Sequence, residues 1–346
     1  MDIGIFGFRL DMALVLLLSV LFWGCTEADR VLWSHGVSEQ LAKARQAHIT
    51  DVAYDLVIEV PLDLSDALKG SASIRFRAEE VAGPLVLDFA QKADKLLSLR
   101  KGEEDIPYTV EQGHIIIAQD YIAQGENVLQ VEFIVGEEPL NRHEEYLYSL
   151  FVPAQAAQAF PCFDQPDLKA QFSLELHVPA HWEAVSNGRL TKTEVHGDRK
   201  ICTFAPTLPI STYLFAFVAG EFSVIEEEYS GRKFRMYHRE TDTLNLNRNQ
   251  GELLRLHAEA LDWLEEYTGV AMPFPDFKMV LIPSFQFGGM EHPGAIYYKA
   301  SSLLLPPTAS QQQQLRRANL IAHETAHLWF GDLVTMRWFN DVWLKE

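Results

Sequence analysis

Near residue 222 the spacing of apolar residues changes period, and a chain with such a change builds strands first and helices later. Before it, Val52–Val60, Ala72–Arg77, His114–Ile117 and Val128–Phe133 alternate apolar with polar, with Gly, Pro, Asn and Asp in the gaps. Short strands repeated in this way predict an antiparallel all-β domain over residues 45–221. After it, Leu253, Leu254, His257, Leu261 and Leu264 recur at helical spacing within Asn249–Tyr267. Phe277–Ile282 reads as a strand and Phe287–Gly294 as a Gly-rich segment. A second helix is expected over 310–330, ended by Gly331. The expected fold class is α+β multidomain: an N-terminal antiparallel β-sandwich or saddle domain, then an α+β part over 222–346 that stops as a third helix begins. A chain of 346 residues is long enough for two cores.

The second helix carries His323 and His327, four residues apart. One helical turn separates them, so both imidazoles leave one face. Neutral imidazole is a preferred zinc ligand. Glu324 flanks that face, where its carboxylate reaches a metal-bound water without ligating the metal. H-E-x-x-H therefore supplies two ligands and a general base within five residues. Hydrolytic zinc takes a third protein ligand, and Glu346 fits, nineteen residues after His327 with a turn and a new helix between them. Asn340 or Asp341 is the expected cap of that helix. The cofactor read from this set is one zinc ion per chain.

Lys plus Arg number 29 and Asp plus Glu 48, a formal net charge of −19, which argues against a nucleic-acid partner. The three cysteines, Cys25, Cys162 and Cys202, lack C-x-x-C spacing; buried free thiols are favoured for the last two over a Cys162–Cys202 disulfide. Met12–Gly24 is a thirteen-residue apolar run, short for a membrane span and suited to a signal peptide over residues 1–25. It ends at Gly24-Cys25-Thr26, which resembles a bacterial lipoprotein cleavage site; export to the cell envelope with a membrane tether through Cys25 is the favoured reading, ahead of a plain signal peptide and an uncleaved anchor.

These motifs together resemble the zinc aminopeptidases of the aminopeptidase N family, from about Tyr54 to Glu346. The resemblance is carried by Phe160–Asp167, Val185–Gly188, Pro209–Phe217, Gly288–His292, His323–Asp332 and Trp343–Glu346. It implies an N-terminal β-domain before a thermolysin-like catalytic domain, and peptide substrates with a free N-terminus. Glu291 falls where the family's glutamate binds the substrate α-amine, within a substrate-binding segment Gly288, Gly289, Met290 and Glu291. Backbone at the two glycines is expected to approach the substrate closely. His292 stands where many members have Asn, and Leu150 where relatives have Gln. The resemblance also places a transition-state tyrosine and further domains beyond Glu346. The 346 residues alone are therefore expected to be inactive. Two rivals stand beside an aminopeptidase: a related branch that also hydrolyses a lipid epoxide, and a non-enzymatic member kept for its β-domain.

Overall fold

A computed structural model describes residues 34–81 and 83–346. The run Met12–Gly24 and Cys25 lie outside the described residues. Among those described, no helix is long and apolar enough to cross a membrane.

The helix Glu39–His48 starts on Ser38, whose hydroxyl accepts from the Leu41 N–H. Behind it stands an eight-stranded sheet in the order Leu190–His196, Arg199–Phe204, Ala170–Pro179, Ile49–Glu59, Lys69–Ala78, Gly125–Ile134, Leu96–Lys101, Glu104–Asp105. The alternating segments read from the sequence are these strands. Lys69–Ala78 and Gly125–Ile134 bury every second residue along most of their length. One pairing departs from the antiparallel expectation. Ile49–Glu59 runs parallel to Ala170–Pro179, with Tyr54 opposite Phe172. A parallel pair needs a long crossover, and the intervening chain supplies it as four further strands of this sheet, a three-stranded sheet and two strands of a four-stranded one. The join is apolar: Tyr54 and Phe172 stack at 4.9 Å, and Phe172 stacks on Phe215 at 4.6 Å.

A charged group is also buried here. Arg45 forks onto Asp88 at 2.7 and 2.6 Å, and His114 Nδ1 lies 2.8 Å from the same carboxylate. Burial alone raises the Asp88 pKa, but Arg45 and His114 outweigh it and hold the carboxyl below its usual range. Cys162 and Cys202 are buried free thiols.

The strand Phe217–Gly220 belongs to a four-stranded sheet, and Ser223–Tyr229 opens a different, five-stranded one. This second sheet runs Ser223–Tyr229, Arg232–His238, Lys278–Ile282, Ile296–Lys299, Gly289–Met290. Its two central pairings are parallel and both edge pairings antiparallel. Lys278–Ile282 is buried throughout, as a strand covered on both faces must be.

Two helices pack beside this sheet. The first begins at Thr243 rather than Asn249, because the Asp242 side chain caps the Leu244 and Asn245 N–H groups. It ends at Gly269, left-handed with φ +67°. The second, Gln311–Ala326, opens on a capping box of Ser310 and Gln313. It ends before Gly331: His327 keeps helical dihedrals and a run of turns follows. The expected third helix is a 3-10 segment, Phe339–Leu344. Neither Asn340 nor Asp341 caps it. Trp338, extended and without a capping oxygen, holds the N-cap position, and both polar residues fall inside the segment.

Candidate functional site

The helix Gln311–Ala326 is pinned on its buried face. Arg317 donates to Asn249 Oδ1 at 2.8 Å and to the Leu303 carbonyl at 3.2 Å. Within the helix, Thr325 Oγ1 folds back to donate to the Ile321 carbonyl at 2.7 Å. With the helix fixed, His323 and His327 bring their Nε2 atoms to 3.0 Å. His327 Nδ1 lies 3.1 Å from the Phe330 carbonyl oxygen. A carbonyl only accepts, so the His327 proton sits on Nδ1 and its Nε2 lone pair faces His323. Glu346 Oε2 is 3.8 Å from His323 Nε2, and one ligand atom from each of His323, His327 and Glu346 lies within 4.8 Å of the others. Two imidazoles on a tetrahedral metal at zinc–nitrogen distance stand about 3.3 Å apart. The donor set fits such an ion.

Glu324 is buried beside the imidazoles. Burial, then the carboxylates of Glu291 and Glu346, push its pKa up to about 9, while Lys345 pulls it back. Glu291, Glu324 and His327 form a second close group, again within 4.8 Å. Converging carboxylates of this kind are relieved by a divalent cation, a further sign of fit.

The Gly-rich segment forms the edge strand Gly289–Met290, laid antiparallel on Tyr297 and Tyr298. Its glycines have a reason beyond room for a ligand. A Cβ on Gly289 would stand 2.4 Å from Glu324 Oε1, so backbone presses directly against that carboxylate. A Cβ on Gly288 would stand 3.2 Å from the Leu320 side chain. Met290, read as substrate-binding, is only 4% exposed and packs in the core. Leu150 is likewise core.

Glu291 is buried next, and its partner is Lys345. The Lys345 ammonium contacts Glu291 Oε1, lies 3.1 Å from Glu346 Oε1, and sits 5.3 Å from the Tyr213 ring centroid. Burial drives the Glu291 carboxyl upward, yet Lys345 and then His327 reverse it, and the group is held below its usual range. His292 is buried beside it, its pKa lowered to about 3 by burial, and is therefore neutral. Lys345 and Asp332 also belong to this site and lie outside the functional residues expected from the motifs. Lys345 had one local signal, a cation next to a candidate ligand. Asp332 is wholly buried, burial and then Glu291 push its pKa well up, and neither carboxyl oxygen has a hydrogen-bond partner among the described residues.

Comparison with known proteins gives two domains in the same order. Residues 137–214 match the peptidase M1 N-terminal domain and residues 253–346 the peptidase family M1 domain. The chain is 40% identical over 212 residues to a puromycin-sensitive aminopeptidase of Caenorhabditis elegans, covering 60% of this chain and 22% of that protein. It is 32% identical over 317 residues to a probable M1 family aminopeptidase of Encephalitozoon cuniculi, covering 85% and 36%. It is 27% identical over 329 residues to an aminopeptidase N of Streptomyces lividans, covering 90% and 37%. The chain thus spans 22 to 37% of the length of these relatives. Two domain models matched in succession, along a chain whose strand-rich and helix-bearing parts follow in the same succession, settle its descent: it belongs to peptidase family M1.

Proposed function

We propose that this protein is a zinc-dependent metalloaminopeptidase that releases N-terminal amino acids from peptides. The observation carrying this is the convergence of His323, His327 and Glu346 with two further buried carboxylates, Glu324 and Glu291, one of which already holds an ammonium. The division that accompanies it is a β-domain over 45–221 and the N-terminal part of a thermolysin-like peptidase domain over 222–346.

His323, His327 and Glu346 would hold a zinc ion, which when bound would supply a Lewis acid for acidifying a water and polarising the scissile carbonyl. Glu324 would act as the general base, taking a proton from the attacking water and passing it to the leaving amine. Glu291 binds the substrate ammonium through a charge-assisted contact and sets where the peptide starts, so cleavage falls after the first residue. The names of the relatives, all aminopeptidases, support this reading over an epoxide hydrolase.

The test uses the protein as its host makes it. Aminoacyl-naphthylamides should be hydrolysed and their N-acetylated forms left intact. A chelator should abolish turnover, and one zinc per chain should restore it. Undiminished turnover in metal-free protein would sink the proposal.

We also propose export and a lipid tether at Cys25, resting on the run Met12–Gly24 and the Gly24-Cys25-Thr26 junction alone. Cys25→Ser should move the protein from the membrane fraction to the soluble fraction. An unchanged distribution between the two would exclude the tether.

A further inference from the structure

We propose that Asn187, a residue of the strand-rich part, is a positioning residue for Glu291, acting by clamping the turn that follows it. The inference rests on Glu291 holding the substrate amine, as proposed above.

Past Glu291 the chain reverses through His292, Pro293, Gly294 and Ala295, closed by the Ala295 N–H donating to the His292 carbonyl at 3.0 Å. Proline at the second position and glycine at the third, with Gly294 at φ +73°, mark a type II turn. Glu291 is therefore held between a strand of two residues and this turn. The ladder fixes one side of it. Whatever fixes the turn fixes the other.

Asn187 does so from across the seam. Its Nδ2 donates to the Pro293 carbonyl at 2.9 Å and to the Leu214 carbonyl at 2.8 Å, and its Oδ1 accepts from the Ala216 N–H at 2.7 Å. The side chain thus joins two backbone groups of the strand-rich part to one in the turn, and it is 7% exposed. A second contact, independent of the amide, lies at the same place. The Asn187 carbonyl oxygen stands 2.3 Å from where a Cβ on Gly294 would be. Backbone and side chain together leave the turn one seat. Asn187 is itself held from the other side, since Lys278 Nζ of the second sheet donates to the neighbouring Gly188 carbonyl at 3.2 Å.

The amide chemistry singles out one replacement. Aspartate keeps the shape and the acceptor for Ala216, but sets a carboxylate oxygen against the Leu214 and Pro293 carbonyls. Asn187→Asp should release the turn without opening a cavity.

The readout is a ratio that scaffolding alone leaves unmoved. Inhibition is measured with leucine hydroxamate and with its des-amino counterpart, 4-methylpentanoyl hydroxamate. Only the first offers an ammonium to Glu291. Asn187→Asp should cut the preference for the amine about tenfold, while the des-amino inhibition constant and bound zinc stay unchanged. An unchanged preference, whether or not the melting temperature falls, overturns the proposal. If Asn187→Asp does not fold, Gly294→Ala carries the test. It strains the turn from the other partner, and it must lower the same ratio for the proposal to stand. Glu291→Gln is the separate control. If it leaves the preference intact, the ammonium-anchor reading fails on its own account, whatever Asn187 does.

Discussion

Glu324→Gln should lower kcat by about 10²- to 10⁴-fold with little change in KM or in bound zinc, the loss expected when a general base is removed and its shape kept. On the proposed mechanism Glu324 acts by accepting a proton, and glutamine fills the same space against Gly289 without accepting one. The same variant has a signature in metal-free protein. There the Glu324 pKa stands at about 9, well above an unfolded glutamate near 4.3. The folded state then binds a proton that the unfolded state does not, so this group's contribution is fully present below the unfolded value. It is lost as pH rises toward 9. Metal-free wild-type protein should melt at lower temperature at pH 8.5 than at pH 5.5, and Glu324→Gln should flatten that slope. Wild-type turnover in the mutant would remove Glu324 from the mechanism. An unaltered slope would remove the raised Glu324 pKa, and with it burial and the neighbouring Glu291 and Glu346 carboxylates as its source.

How much of this was legible in the chain follows from how local each feature is. His323 and His327 were readable because helical geometry alone brings their Nε2 atoms together, and a helix needs no distant partner to be recognised. The amphipathic face of Leu253, Leu254, Leu261 and Leu264 was readable for the same reason, and all four are buried. The start of that helix was missed because Asp242 caps it outside the periodic stretch. The parallel partner of Ile49–Glu59 was illegible: both strands alternate equally well in either direction, and the choice lies in stacking between Tyr54, Phe172 and Phe215. At the site, the close approach of Gly289 to Glu324 was illegible, since the carboxylate it makes room for belongs to a helix thirty-five residues later. Lys345 and Asn187 depend on contacts 54 and 106 residues away, and no period or spacing encodes those.

Lys345 also decides how the second large effect is to be measured. Glu291→Gln should raise KM about 10- to 100-fold, matching the roughly 1.5–3 kcal/mol of a hydrogen bond to a charged group. Yet Glu291 is buried against Lys345, and removing its charge leaves that ammonium with Glu346 as its remaining carboxylate. Breaking a buried pair from one side costs about 3–5 kcal/mol, so the single variant should also lose stability. The two losses separate in a double variant. Glu291→Gln with Lys345→Met removes both buried charges, and thermal stability should recover in part. KM should stay raised, because the substrate ammonium still meets a neutral amide. If KM recovers together with stability, the single variant was only misfolding locally. Glu291 would then be a structural partner of Lys345 and not the anchor of the substrate amine.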